Sequence, residues 1–137
     1  MRVYGPSGTR SGWEDRAPAA VQLAGGSTAV GGANTQLFTY TVPANRRTRV
    51  IGQAISGLVT TAFAAGQTGL VRIGINAVGD HIVCGFQALA PIGTRDDRTF
   101  GEHWLLAGQT IVAFVTLGAG AGVLDAVAGL AGIEYDA

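Results

Sequence analysis

The stretch TYTVPANRRTRVI (residues 39–51) contains the pattern that decides the fold. A strand-like run ends at Val42, the sequence Pro43-Ala44-Asn45 makes a tight turn, and a second run rich in β-branched residues follows. The stretch WLLAGQTIVAFV (residues 104–115) repeats this arrangement around an Ala-Gly-Gln turn. Tight turns between short β-branched runs are typical of antiparallel strands. The two corners therefore predict an all-β sandwich.

Alternating side chains extend this prediction along the chain. In residues 37–42 and 70–76, apolar and polar positions alternate, as they do in half-buried strands. Residues 76–80 have turn composition and predict a hairpin with residues 81–88, whereas residues 91–98 are expected to form a polar loop. The chain then holds about eight strands, which predicts a jelly-roll-like antiparallel sandwich. The residues expected in its core are Phe38, Tyr40, Val50, Ile73, Ile75, Phe86, Ile111 and Phe114.

Residues 1–34 differ in composition from residues 35–137, which are predicted to form the sandwich domain. The first segment holds two of the four prolines and many glycines, and its periodicity is weak. Such a segment cannot bury enough apolar surface to fold alone. It nevertheless contains Tyr4 and Trp13. A disordered tail and an extended arm that inserts these aromatics into a neighbouring subunit both remain open, and the aromatics favour the arm.

The charge balance excludes several classes of partner. Nine arginines, with no lysine, cancel nine acidic residues over 137 positions, a length typical of one domain. A net charge of zero gives no general attraction to nucleic acid or to an anionic membrane. It also gives little repulsion between copies, which favours self-association.

Membrane insertion and secretion are not expected. The first residues contain no apolar signal-peptide core. Two uncharged stretches, residues 50–71 and 104–124, are long enough to cross a bilayer, but glycines, glutamines and turn-like breaks interrupt both. The single cysteine, Cys84, excludes an internal disulfide and is predicted to be a small core residue.

No set of residues predicts catalysis, cofactor binding or a metal site. His81 and Cys84 are three positions apart in a predicted strand, so they face opposite sides and cannot easily share a metal ion. Ser56 has no nucleophile-elbow sequence around it. Asp96 and Asp97 are each adjacent to an arginine, which predicts an exposed, self-neutralised pair rather than catalytic carboxylates. The chain is therefore not expected to be an enzyme.

One basic cluster remains, formed by Arg46, Arg47 and Arg49. It lacks the further basic residues and interleaved aromatics of a nucleic-acid patch. It is interpreted either as a solvated rim or, preferably, as a set of partners for acids on a neighbouring subunit. The candidate acids are Asp96, Asp97, Glu14 and Asp15.

Three segments resemble a recurring type of small structural protein in tailed-bacteriophage virions. They are YTVPANRRTRV (40–50), LLAGQTIV (105–112) and the ending AGLAGIEYDA (128–137). The likeness lies in the corner chemistry of β-sandwich proteins that decorate heads or form spikes and fibres. It implies a jelly-roll-like fold, a role in capsid assembly or stabilisation, and no enzymatic activity.

The leading hypothesis from the sequence is a capsid decoration or minor head protein, made in the host cytoplasm and located in the virion. It would form a homo-oligomer, with a trimer favoured, and bind a major capsid protein or another virion protein. A tail, spike or fibre component that binds a host surface is one alternative, and a small phage-encoded membrane protein is another. The residues expected at interfaces are Tyr4, Trp13, Arg46, Arg47, Arg49, Asp96 and Asp97.

Overall fold

The computed structural model describes residues 18–76 and 79–136, and the regular structure of this part of the chain consists of β-strands. The strands are β1 (Ala19–Ala29), β2 (Asn34–Thr41), β3 (Arg46–Thr61), β4 (Gly69–Ile75), β5 (Gly79–Phe86), β6 (Arg95–Phe100), β7 (His103–Leu105), β8 (Thr110–Leu117) and β9 (Val123–Asp136). Paired strands run antiparallel throughout. The predicted all-β class is confirmed.

The strands form two sheets with jelly-roll connectivity. The β9 sheet has the order β1-β9-β3-β6, with β7 also paired to β3, and the β8 sheet has the order β2-β8-β4-β5. β7 pairs with residues 48–50 of β3 and β6 with residues 53–58, so these two short strands share one edge position. Each sheet therefore has four strand positions, and the eight positions are connected as two Greek keys. The predicted jelly-roll-like sandwich of about eight strands is confirmed.

The two corners that predicted the fold lie against each other. Val42 donates its backbone N–H to the Gln109 carbonyl at 3.0 Å, and Gly108 donates to the Val42 carbonyl at 2.9 Å. Asn45 and Gly108 have φ angles of 62° and 83°, the left-handed conformation that asparagine and glycine tolerate best. The turn residues therefore fix how the β2–β3 corner meets the β7–β8 corner.

The core lies between the inward faces of the two sheets. Along β4 every second residue is buried, as the alternation in the sequence predicted. Six of the eight expected core residues are buried, namely Phe38, Val50, Ile73, Ile75, Phe86 and Ile111. Tyr40 is partly buried and packs against this core. Cys84 is fully buried, as expected.

Phe114 is not a core residue, and that prediction is wrong. On β8 the inward positions are Ile111, Ala113 and Val115, so Phe114 faces outward. There the guanidinium of Arg72 lies over its ring, 4.1 Å from the centroid. Because residues 111–115 are all apolar, their sequence gave no sign of which side faced the core.

The predicted arm of residues 1–34 needs correction over its second half. Residues 19–29 form β1, which pairs with β9 along its whole length. The glycines that suggested an unfolded segment allow close packing instead: a Cβ at Gly25 would lie 2.0 Å from the Leu37 carbonyl oxygen of β2. Residues 1–17 lie outside the described residues, and an arm in that range stays a prediction.

Buried Gln67 joins two loops at one end of the sandwich. Its Oε1 accepts hydrogen bonds from the backbone N–H groups of Ala64 at 3.0 Å and Gly122 at 2.9 Å. Its Nε2 donates to the carbonyl of Gly118 at 3.0 Å. The amide thereby satisfies backbone groups in both connections, as a buried polar side chain must.

Candidate assembly surface

The middle of the outward face of the β9 sheet carries small and apolar residues. Burial alternates along β9, so residues 127, 129, 131, 133 and 135 share its outward side, and Val127 is 58% exposed. Ile51 of β3, which lies at a β-bulge, is 45% exposed. Scattered exposed apolar residues are ordinary, but a continuous apolar face marks an interaction site.

A shallow depression of about 820 Å³ occupies the middle of this face. The small side chains of Ala24 on β1, Ala131 on β9 and Ala54 on β3 contribute to its lining. Ile51 and Phe100 also contribute to its lining. A partner side chain can therefore approach the sheet closely between them.

Packing within the subunit does not require glycine at two positions of this face. A Cβ at Gly52 would meet nothing within 4 Å, and one at Gly129 would meet only the Leu23 carbonyl oxygen at 3.7 Å, an ordinary contact. By contrast, a Cβ at Gly132 would lie 2.7 Å from the Arg49 carbonyl oxygen. Gly52 lies at the bulge of β3, where glycine is common, whereas at Gly129 the strand has room for a side chain that the sequence does not use.

An aromatic and arginine cluster lies on the same face, towards the start of β3. The guanidinium of Arg47 lies 4.7 Å from the centroid of the Trp104 ring, and the Trp104 and Tyr135 rings are 5.9 Å apart. Trp104 is 47% exposed. Tryptophan, tyrosine and arginine are the residues that most often dominate binding energy at protein interfaces. Trp104 and Tyr135 were not among the residues expected at interfaces, although antiparallel pairing of β3 with β7 and β9 aligns them with the arginines.

Arg46 is buried within its own subunit, although the basic cluster was expected to be exposed. It is 6% exposed, and its Nε and Nη1 donate to Glu134 at 2.7 Å and Asp136 at 3.0 Å. Tyr40 donates its hydroxyl to the other Glu134 oxygen at 2.6 Å. Burial alone would raise the pKa of Glu134, but the hydrogen bonds from Tyr40 and Arg46 lower it overall. Arg46 therefore contacts acids of its own subunit.

Arg47 and Arg49 remain on the outward face. Arg47 stacks on the aromatic cluster, and Arg49 pairs with Glu102 of its own chain at 2.7 Å. Both side chains lie where a neighbouring subunit could reach them. Their role at an interface stays a prediction.

Asp96 and Asp97 belong to β6 and not to the expected loop. Asp96 pairs with Arg98 and Asp97 with Arg95, both at 2.9 Å, so the acids are neutralised by nearby arginines as predicted. Ser56 of β3 also donates a hydrogen bond to Asp97, which together with Arg95 lowers the pKa of that carboxyl. Their pairing with a neighbouring subunit stays a prediction. Tyr4, Trp13, Glu14 and Asp15 lie outside the described residues.

Over residues 18–76 and 79–136 no group of three or more His, Cys, Asp or Glu side chains is arranged to hold a metal ion. Burial raises the pKa of the Cys84 thiol to about 11, so the reactive thiolate is scarce at neutral pH. In the same ranges no helix has the length and apolar character needed to cross a membrane.

No protein-family model matches this sequence, and no curated protein matches it. Among solved structures, VP2 protein of infectious bursal disease virus in T=1 particles is similar with 14% identity and a TM-score of 0.46, over 93% of this chain and 33% of that one. The Gx strain of the same virus gives 11% identity, a TM-score of 0.45, and coverage of 88% and 33%. This chain thus spans about a third of the length of these viral proteins.

A protein of Bacillus endospore appendages, described as disulfide-linked pili, is also similar. The identity is 11% and the TM-score 0.40, over 88% of this chain and 89% of that one.

Proposed function

We propose that this chain is a non-enzymatic structural protein of a virion, most specifically a capsid decoration or minor head protein that binds and stabilises the shell. It acts as a homo-oligomer, with a trimer favoured, and contacts a major capsid protein or another virion protein. Its binding surface is the outward face of the β9 sheet together with the Arg47–Trp104–Tyr135 cluster.

The observation that carries this proposal is the set of small and apolar residues in the middle of this face, with glycines at positions where the subunit has room for larger side chains. A surface built in this way favours flat, close contact with another protein. The zero net charge removes the long-range repulsion that would oppose such contact between copies. The Arg47–Trp104–Tyr135 cluster supplies anchors at one end of the face.

The N-terminal segment fits the same role. β1 begins at Ala19, which pairs with Glu134, so the first strand starts beside Tyr135 of the aromatic cluster. Tyr4 and Trp13 precede this strand in the sequence. We infer that this segment extends the contact onto a neighbouring subunit.

The number of copies per particle tests the proposal. Quantitative mass spectrometry of purified particles of the virus that encodes this chain should find tens to hundreds of copies. A few copies per particle would instead indicate a tail, spike or fibre component. Absence from purified particles would contradict a virion role.

A truncation tests the arm separately. Deleting residues 2–17 leaves β1 intact, so the sandwich should fold while binding to the particle or self-association weakens. A truncated chain that binds as tightly as the full chain would show that residues 1–17 do not contribute, and the β9-sheet face would then account for binding alone.

A further inference from the structure

Both histidines of the chain lie at the edge where the two sheets meet. His81 is on β5, the edge strand of the β8 sheet, and His103 is on β7, at the edge of the β9 sheet. Their ring centroids are 4.4 Å apart. Phe100 of β6 packs against both rings, with centroids 4.3 Å from His81 and 5.8 Å from His103. These three rings form a contact between the two sheets, called the histidine seam below.

Within the described residues, the buried nitrogen of each imidazole lacks a hydrogen-bond partner. The Nε2 atoms of His81 and His103 are both buried, and neither has a partner among the described residues. A neutral imidazole can keep one nitrogen as an acceptor, whereas an imidazolium carries an N–H donor on both. Protonation would therefore bury an unpaired donor and a positive charge, which is costly. Protonating both rings would add repulsion between them.

The charged groups around the seam do not offset this cost. Those on the strands and loops packed against it are already paired with one another: Asp80 with Arg72, Glu102 with Arg49, and Asp96 with Arg98. β3 contributes the uncharged Gln53, the register partner of Phe100. The Cys84 thiol on β5 is neutral near pH 7 because burial raises its pKa to about 11.

We propose that the histidine seam is an acid-sensitive latch between the two sheets. Protonation of His81 or His103 separates the β5 edge from the β6–β7 edge and loosens this side of the sandwich, while the paired centre of the β9 sheet stays closed. The change would alter the shape of the subunit at one edge without unfolding it.

The direction of the pH dependence follows from burial. Burial lowers the pKa of His81, and burial together with the charge of His81 lowers the pKa of His103. In the unfolded chain both take up protons near pH 6.5, the usual histidine value. The folded state resists protonation, so its stability is complete above about pH 6.5 and decreases as the pH falls below it.

Hydrogen exchange of the full chain tests the latch. Protection factors, corrected for the intrinsic pH dependence of exchange, are measured at about pH 7.5 and about pH 5.5 for β5 and for β9. The wild-type β5 should lose protection about tenfold more than β9 at the lower pH. His81→Phe should keep β5 protection at the lower pH, because phenylalanine fills the site without titrating. Glu102→Gln, which changes a neighbouring charge but keeps both imidazoles, should behave like the wild type.

Two results would overturn the latch. One is wild-type β5 protection that is the same at both pH values, and the other is an equal acid-induced loss in His81→Phe. If His81→Phe does not fold, His103→Phe serves the same purpose. An NMR titration of the wild-type imidazoles gives an independent measurement: midpoints clearly below pH 6.5 are expected, and midpoints at or above that value would contradict the latch.

Discussion

Arg46 Nε donates a hydrogen bond to Glu134 Oε1 at 2.7 Å and so ties the start of β3 to the end of β9. Side-chain exposures are 7% for Arg46 and 16% for Glu134, so water screens this pair only weakly. Asp136 and Tyr40 complete the network. Buried ion pairs are not strongly stabilising in themselves, but removing one partner leaves a buried charge uncompensated.

Glu134→Gln should therefore lower the free energy of unfolding by about 2 kcal/mol, with Asp136 retaining part of the interaction with Arg46. Chemical denaturation measures the change. The matched control is Glu102→Gln, which breaks the exposed pair with Arg49 and should cost at most about 1 kcal/mol. Equal effects of the two substitutions would show that the buried network has no special role.

The Tyr40 hydroxyl should lose its proton at a much higher pH than an ordinary tyrosine. Burial, the hydrogen bond to Glu134 and the charge of that carboxylate raise the pKa of Tyr40 to about 12. Tyrosinate absorbance should show one group titrating near pH 12, and this step should disappear in Tyr40→Phe. Because the unfolded chain loses this proton near pH 10, the folded state should lose stability as the pH rises above about 10. A Tyr40 titration near pH 10 would contradict the hydrogen bond.

Two phenylalanines on opposite sides of the β8 sheet should respond differently to truncation. Phe38→Ala removes a buried ring and should cost on the order of 3–5 kcal/mol. Phe114→Ala removes a ring that faces outward against Arg72 and should cost about 1 kcal/mol. Thermal denaturation compares them. A larger effect for Phe114 would mean that the faces of β8 are reversed.

The contribution of Gln67 to stability can be tested by comparing it with Gln109, which makes a similar bond at the surface. Gln67→Leu leaves backbone groups of both loops buried without partners and should cost about 2 kcal/mol or more. Gln109 makes the same kind of bond, accepting from the N–H of Leu106 at 2.8 Å, but this contact is exposed. Gln109→Leu should cost about 0.5 kcal/mol, since water replaces the lost bond. Similar unfolding free energies for both variants would place Gln67 outside the interior.

The sequence predicted strands wherever side chains of different polarity alternated. Residues 70–76 are an example, because a strand with one buried face needs this alternation. β1 was missed because its alternation is weak: of its inward positions only Val21 and Leu23 are larger apolar residues, and positions 25, 27 and 29 are small. Its pairing with β9 along its whole length defines it as a strand. The outward position of Phe114 was missed because neighbouring residues on both faces of β8 are apolar.

The candidate surface was only partly predictable. The exposure of Arg47 followed from the basic cluster, which was interpreted as a solvated rim or as an interface. The burial of Arg46 did not follow, because its partners are 88 and 90 residues away in the chain. The acids at the end of β9 were a signal, but only the antiparallel pairing of β3 with β9 places them beside Arg46.

The central claim is that the outward face of the β9 sheet is an assembly surface. Gly129→Val tests it, because the site has room for a Cβ and β-branched residues favour strands. The substitution should therefore preserve the fold while raising the floor of the depression. Gly85→Val is the matched control: a Cβ there would meet only the Leu70 side chain at 3.9 Å, and the exposed Gly85 lies on the other sheet.

Sedimentation velocity of the purified chain is the most direct measurement. The wild type and Gly85→Val should sediment as the same oligomer, with a trimer favoured, whereas Gly129→Val should sediment as a folded monomer with an unchanged circular dichroism spectrum. If Gly129→Val forms the same oligomer as the wild type, or if the wild type is monomeric at all concentrations, the proposed self-assembly through this face is contradicted.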